Sequence, residues 1–175
     1  MSKNIFTLKK LAFTALMSSL AVAMSLLTIP FLLGVNIHLF QVAVFIAAVG
    51  GGPVSGIVTG MFGGVYMASV RGDIFIVAGN MLLGLSAGLL SRKLRPALAC
   101  SLAWFLFQMP CLFIVNIYVY KIPLAVVETI LITLTVEDLI SAVVTDLLMT
   151  RFGLKRWVLQ RLGGSSGGPF NHVKP

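Results

Sequence analysis

Four hydrogen-bonding side chains, Asn80, Gln108, Asn116 and Glu128, interrupt long apolar stretches of the chain. A polar group in hydrocarbon is costly and ordinarily faces protein or water. Asn36, His38, Gln41, Tyr66 and Arg71 stand at the margins of neighbouring apolar stretches. Together they offer amide, imidazole, phenol, carboxylate and guanidinium groups, a set suited to holding a small polar molecule. They do not make a catalytic set. There is no GxxxxGK[ST] phosphate loop, no HExxH pair and no GxSxG elbow. Only two histidines occur, one of them in the C-terminal tail. The expectation is a non-enzymatic protein with no cofactor and no bound metal.

These residues must be positioned by membrane helices. Of the 175 residues, 58% are hydrophobic and 10% charged, against about a quarter charged in soluble domains; mean hydropathy is +1.03. Several apolar runs approach the roughly 20 residues that cross a bilayer as helix. The pattern predicts an all-α polytopic protein with six transmembrane helices. They run from about Leu8 to Ile29, His38 to Val49, Val54 to Val70, Ile74 to Leu90, Ala97 to Tyr118 and Leu124 to Thr150. The first resembles a signal peptide but is long for one and is read as a retained helix. The second is short for a crossing. The Gly50–Pro53 segment should form a tight turn, and Pro30 to Ile37 a loop containing Gly34 and Asn36. Residues 1–162 form one membrane domain; 163–175, rich in Gly and Ser, read as a flexible polar tail. Cys100 and Cys111 fall on one helix ~16 Å apart, too far for a disulfide.

Charge supplies the topology. Lys3, Lys9 and Lys10 precede the first helix. Arg92, Lys93 and Arg95 separate the fourth from the fifth, and Arg151, Lys155, Arg156 and Arg161 follow the sixth. The intervening connections hold only Arg71, Asp73 and Lys121. An N-in, C-in arrangement places 11 of the 13 basic residues inside, as the positive-inside rule requires. The net charge of +8 therefore marks membrane flanks rather than a nucleic-acid surface. In this orientation Asn80 and Glu128 each lie ~9 Å from the outer ends of their helices. The polar set gathers in the outer half, predicting a substrate pocket of Asn36, His38, Gln41, Tyr66, Arg71, Asn80, Gln108, Asn116 and Glu128. On the sixth helix Glu128, Thr135 and Asp146 share one face at 100° per residue. Glu137 points oppositely, so Glu137 and Asp138 are not expected to face one interior.

Small residues recur every fourth position: Gly52, Gly56, Gly60 and Gly64; Asn80, Gly84 and Gly88; Ala15, Ser19 and Ala23. Such stripes allow close helix packing, and the first-helix stripe is the better candidate for docking a partner. The length, the topology, Ala15-x3-Ser19-x3-Ala23 after a Lys-Lys pair, the loop before the second helix, and Gly52-Pro53-x2-Gly56-x3-Gly60 resemble the S components of energy-coupling factor (ECF) vitamin transporters. That resemblance implies an S-component-like bundle in a prokaryotic cell membrane. It would capture a vitamin-like molecule from outside and deliver it inward. Its partners would be a transmembrane coupling protein, docked through Ala15, Ser19 and Ala23, and two ATPase subunits. The rival readings are a structural or assembly protein without a ligand and a proton-coupled carrier using Glu128 or Asp138.

Overall fold

A computed structural model describes residues 7–30 and 36–162. Lys3, Gly34 and the 163–175 tail, on which parts of the expectation rest, lie outside the described residues. The protein is mostly helical. Helix α1 spans Leu8–Ser25, α2 Phe40–Gly51, α3 Pro53–Arg71 and α4 Phe75–Leu90. Helix α5 runs over Pro96–Val119, with π-helical turns at Trp104–Gln108 and Val115–Val119. Helix α6, Leu124–Asp146, continues through a π turn at Leu147–Arg151, and α7 spans Leu154–Leu162. Strands β1 (Ile29–Pro30) and β2 (Asn36–Ile37) pair antiparallel.

Three helices, α1, α3 and α5, are long and apolar enough to cross a membrane; α2 and α4 are shorter apolar helices. Helix α6 is 23 residues long but carries Glu128, Glu137, Asp138 and Asp146. Exposed Leu11, Leu16, Phe62, Leu106, Ile132 and Val143 give the bundle an apolar exterior, as a lipid-facing surface needs. Helix α2 differs in kind. All 12 of its residues are buried, and at about 18 Å it falls short of a ~30 Å hydrocarbon core. It is the central stave, packed by α1, α3, α4 and α6.

The register of contacts gives the directions. The Thr14 hydroxyl donates to Ser55 Oγ at 2.8 Å, and Ser18 and Thr59 share a bond at 3.4 Å, so α1 and α3 run parallel. Phe40 packs on Gly63 and Ala48 on Gly56, so α2 runs against them. Gly56 meets the Gly84 carbonyl and Gly60 that of Asn80, so α3 and α4 are antiparallel. Trp104 Nε1 donates to Thr135 Oγ1 at 3.0 Å, and Asp146 Oδ1 accepts from Ala97 N–H at 3.4 Å, so α5 and α6 are antiparallel.

One end of the bundle therefore collects the start of α1, the α2–α3 and α4–α5 turns, and the end of α6 with α7. It carries Lys9, Lys10, Arg92, Lys93, Arg95, Arg151, Lys155, Arg156 and Arg161. The other end carries the two strands, the Arg71–Asp73 turn and Lys121. The tight turn expected at Gly50–Pro53 is present. Gly52 adopts φ +86°, open to glycine but not to side chains, and Pro53 occupies the first turn of α3.

Three boundaries depart from expectation. Helix α1 stops at Ser25 rather than Ile29, because Ile29 and Pro30 pair with Ile37 and Asn36. Helix α2 begins at Phe40, leaving His38 on the connection above it. A seventh helix, α7, was not expected. It buries Val158 beside Gly50 while Arg156, Trp157 and Arg161 stay exposed, with the Arg161 guanidinium 5.7 Å from the Trp157 ring centroid.

Candidate ligand-binding site

At the end away from the basic rim, five helices and the segment from β2 to α2 surround a cavity of about 60 Å³. Asn36 and His38 come from the connection, and Gln41 from the first turn of α2. Met67 and Arg71 close the end of α3, and Asn80 follows from α4. Gln108 projects from the π turn of α5, and Glu137 and Asp138 from the middle of α6. Phe40, Ile76, Leu112 and Leu134 supply apolar walls. The free space admits a few waters at roughly 10–15 Å³ of such volume each.

The polar lining lacks protein partners. His38 Nδ1 and Nε2, Gln41 Oε1, Asn80 Oδ1, Gln108 Oε1 and both carboxyl oxygens of Glu137 and of Asp138 are buried without a hydrogen bond. Weaker interactions reach Glu137 from the His38 backbone and the Gln41 side chain, and reach the His38 ring from the Ser25 backbone, without completing a full hydrogen bond. The Asn80 amide is fixed, because its Nδ2 donates to Ile76 O at 2.8 Å and leaves Oδ1 free. Each such orphan costs about 1–3 kcal/mol. Six residues of this kind would consume most of a typical folding stability of 5–15 kcal/mol. Ser141 Oγ and Thr145 Oγ1 are also buried and unpaired but do not line the cavity.

Of the nine residues expected to form a pocket, the structure brings together Asn36, His38, Gln41, Arg71, Asn80 and Gln108. Tyr66, Asn116 and Glu128 do not line the cavity. Tyr66 is half-buried on α3. Asn116 sits eight residues, ~12 Å, along α5 from Gln108, and its Nδ2 donates to Leu112 O at 2.8 Å. Glu128 is exposed. Helix α6 reaches the cavity from Leu134 to Asp138, ~15–20 Å from its start, well beyond Glu128.

The expectation that Glu137 and Asp138 cannot face one interior is corrected, since both line the same cavity. Helix α6 packs against α2 and α5 together, so its interior arc exceeds the 100° between successive residues. Its Thr135 and Asp146 address α5, while Glu137 and Asp138 address the cavity. Burial of two carboxyls without partners is the signal that sequence reasoning passed over. Among the described residues no group of three His, Cys, Asp or Glu side chains has a metal-holding geometry.

The cavity's rim is braced by the α3–α4 and α5–α6 connections. The Tyr120 hydroxyl donates to Asp73 Oδ1 at 2.6 Å, and this bond to a carboxylate raises the phenol above its usual pKa. Asp73 also accepts from Phe75 N–H at 2.8 Å, and the Phe75 and Tyr120 rings meet edge-on. On the opposite flank Ala15, Ser19 and Ala23 are all exposed on the outer face of α1, with the Ser19 hydroxyl turned back to Ala15 O at 3.0 Å.

Fold and site define a helical multi-pass membrane protein with a polar internal cavity near one end. The family model described as 5TMR of 5TMR-LYT matches residues 1–151. The chain belongs to this family, whose description specifies five transmembrane helices. No curated protein and no solved structure matches the chain. The family assignment overturns the resemblance to ECF S components, which are a different membrane family. The coupling protein and ATPase subunits were expected on that resemblance alone. The motifs behind it were small-residue spacings, and packing within this chain accounts for the glycine one: Gly56 and Gly60 are occupied by α4.

Proposed function

We propose that the protein is a non-enzymatic, membrane-embedded binding protein that captures a small polar molecule in the cavity between α2, α3, α4, α5 and α6. The reading rests chiefly on nine buried polar atoms of six residues that converge on one cavity without protein partners. A bundle held together only by polar contacts would pair such groups with one another, as Thr14 pairs with Ser55 and Trp104 with Thr135. An arrangement this costly persists where a bound molecule supplies the missing bonds.

The proposed setting is the plasma membrane of a prokaryote, with six passes and both chain ends on the cytoplasmic side. The gathering of basic residues at one end supports this orientation, and the cavity then opens outward past Arg71. Five crossings in the family description and the six proposed here differ by one. The buried, 12-residue α2 is the helix least like a lipid-facing span.

Purified protein should retain a small molecule detectable by mass spectrometry, and adding that molecule should raise Tm by mass action, equivalent to about 2.7 kcal/mol at 100 times Kd. Gln41→Leu should abolish the rise. Protein that carries no small molecule, and whose Tm responds to no fraction of a cell extract, would overturn the reading. A proton-coupled carrier is the second reading, favoured by the adjacent buried carboxyls of Glu137 and Asp138; exposed Glu128 is not suited to that role. Uptake driven by an imposed proton gradient in vesicles would establish it.

A further inference from the structure

We infer that the molecule held in this cavity is a small organic cation rich in N–H donors, of the amidinium or guanidinium class. The inference rests on the binding reading above and adds the chemistry of the ligand. Of the nine unpaired atoms, seven are oxygens: Gln41 Oε1, Asn80 Oδ1, Gln108 Oε1 and the two pairs on Glu137 and Asp138. The acceptor sense is not arbitrary at Asn80. Turning its amide over would set Oδ1 against the Ile76 carbonyl that Nδ2 now satisfies at 2.8 Å, so Oδ1 must face the cavity.

Charge points the same way. Glu137 and Asp138 are each 1% exposed and adjacent; the His38 backbone and the Gln41 side chain stand near Glu137, but neither carboxyl has a full hydrogen bond. Arg71 in the lining is exposed and donates to neither of them. A buried carboxyl pair is held ionised only when charge and hydrogen bonds both reach it. An anionic ligand would meet two carboxyl groups and the fixed Asn80 oxygen, with Arg71 and His38 in its favour and Gln41 and Gln108 able to present either end of their amides. A bare metal ion lacks its ligand geometry here. A flat nitrogenous cation supplies charge and several donors at once, in the bidentate form that carboxylates accept best. Phe40, Ile76, Leu112 and Leu134 would cover its apolar faces.

The test uses three small molecules of one shape, acetamidine, acetamide and acetate, titrated into the purified full chain in detergent. Melting and isothermal titration are the readouts. Acetamidine should bind at least about 10-fold more tightly than acetamide, and acetate should not bind. Glu137→Gln and Asp138→Asn keep the side-chain shapes and remove the capacity to ionise. Each should weaken acetamidine at least about 10-fold while leaving helicity and the elution profile unchanged. Equal binding of acetamidine and acetamide, or a preference for acetate, would overturn the cationic assignment and leave the binding reading standing. Acetamidine affinity unaltered in both variants would remove it from this cavity and overturn the inference. So would the absence of any response to all three molecules, in which case the retained-molecule measurement alone judges the binding reading.

Discussion

Two interfaces of this bundle are built on opposite principles. Between α3 and α4, glycines let one backbone rest on the other: Gly56 lies against Gly84, Gly60 against the Asn80 carbonyl, and Gly88 against Pro53. No side chain intervenes. Where α2 and α6 border the cavity, they and their neighbours turn six polar residues into it that complete no full hydrogen bond at the atoms facing it. The first interface gains cohesion from dispersion at close range, which is what remains when lipid is as apolar as the core. The unpaired atoms of the second gain nothing comparable. The contrast shows that one bundle can locate its stability and its recognition in separate seams, so that each can be altered without the other.

The largest expected effect is at the first seam. In Gly60→Ala the new methyl meets the Asn80 backbone carbonyl, which cannot rotate away. The helices must separate, at about 1–3 kcal/mol, or roughly 2–4 °C in Tm for each kcal/mol. Gly79→Ala is the control. Its methyl would contact the Gln108 side chain at an ordinary 3.5 Å, so Tm should hold or rise with the helix propensity of alanine. An equal rise in both variants would show that helix propensity, not close approach, governs this seam.

The second seam should respond in the opposite sense. Glu137→Gln replaces a buried carboxyl that completes no full hydrogen bond by an amide of the same shape, so Tm without ligand should be unchanged or raised. A large fall would mean that Glu137 is structurally paired and the seams are alike. The smallest effect is expected at Glu128→Ala. That carboxylate is exposed and off the cavity, so both Tm and ligand response should match the parent. A lost ligand response would extend the site toward the outer end of α6.

Much of this plan was legible in the residues. The spacing of basic clusters anticipated that Lys9, Arg92, Arg151 and their neighbours would share one end of the bundle. Glycine periodicity anticipated the close approach of α3 and α4. Polar residues near helix ends, such as Gln41 and Asn80, announced themselves because nothing in an apolar run explains them. What could not be read was relative height. The α5–α6 pair is offset against α4, so Gln108 and Asp138 reach the level of Asn80 while Asn116 and Glu128 do not. The width of the buried arc of α6 was equally hidden, because a helical wheel assumes one neighbour and α6 has two. The same limit misled the family resemblance: small-residue spacing reports that something packs closely, not what.

The contact of Gly56 with Gly84 also constrains how the molecule can move. Two backbones already touching have no side chains between them to re-pack and so no second spacing at which to rest. Helices α3 and α4 therefore behave as one rigid plate that carries Arg71 and Asn80 in fixed relation. Any widening of the chamber for an incoming molecule falls to the staves facing that plate, α2, α5 and α6, and to the Tyr120–Asp73 latch above them.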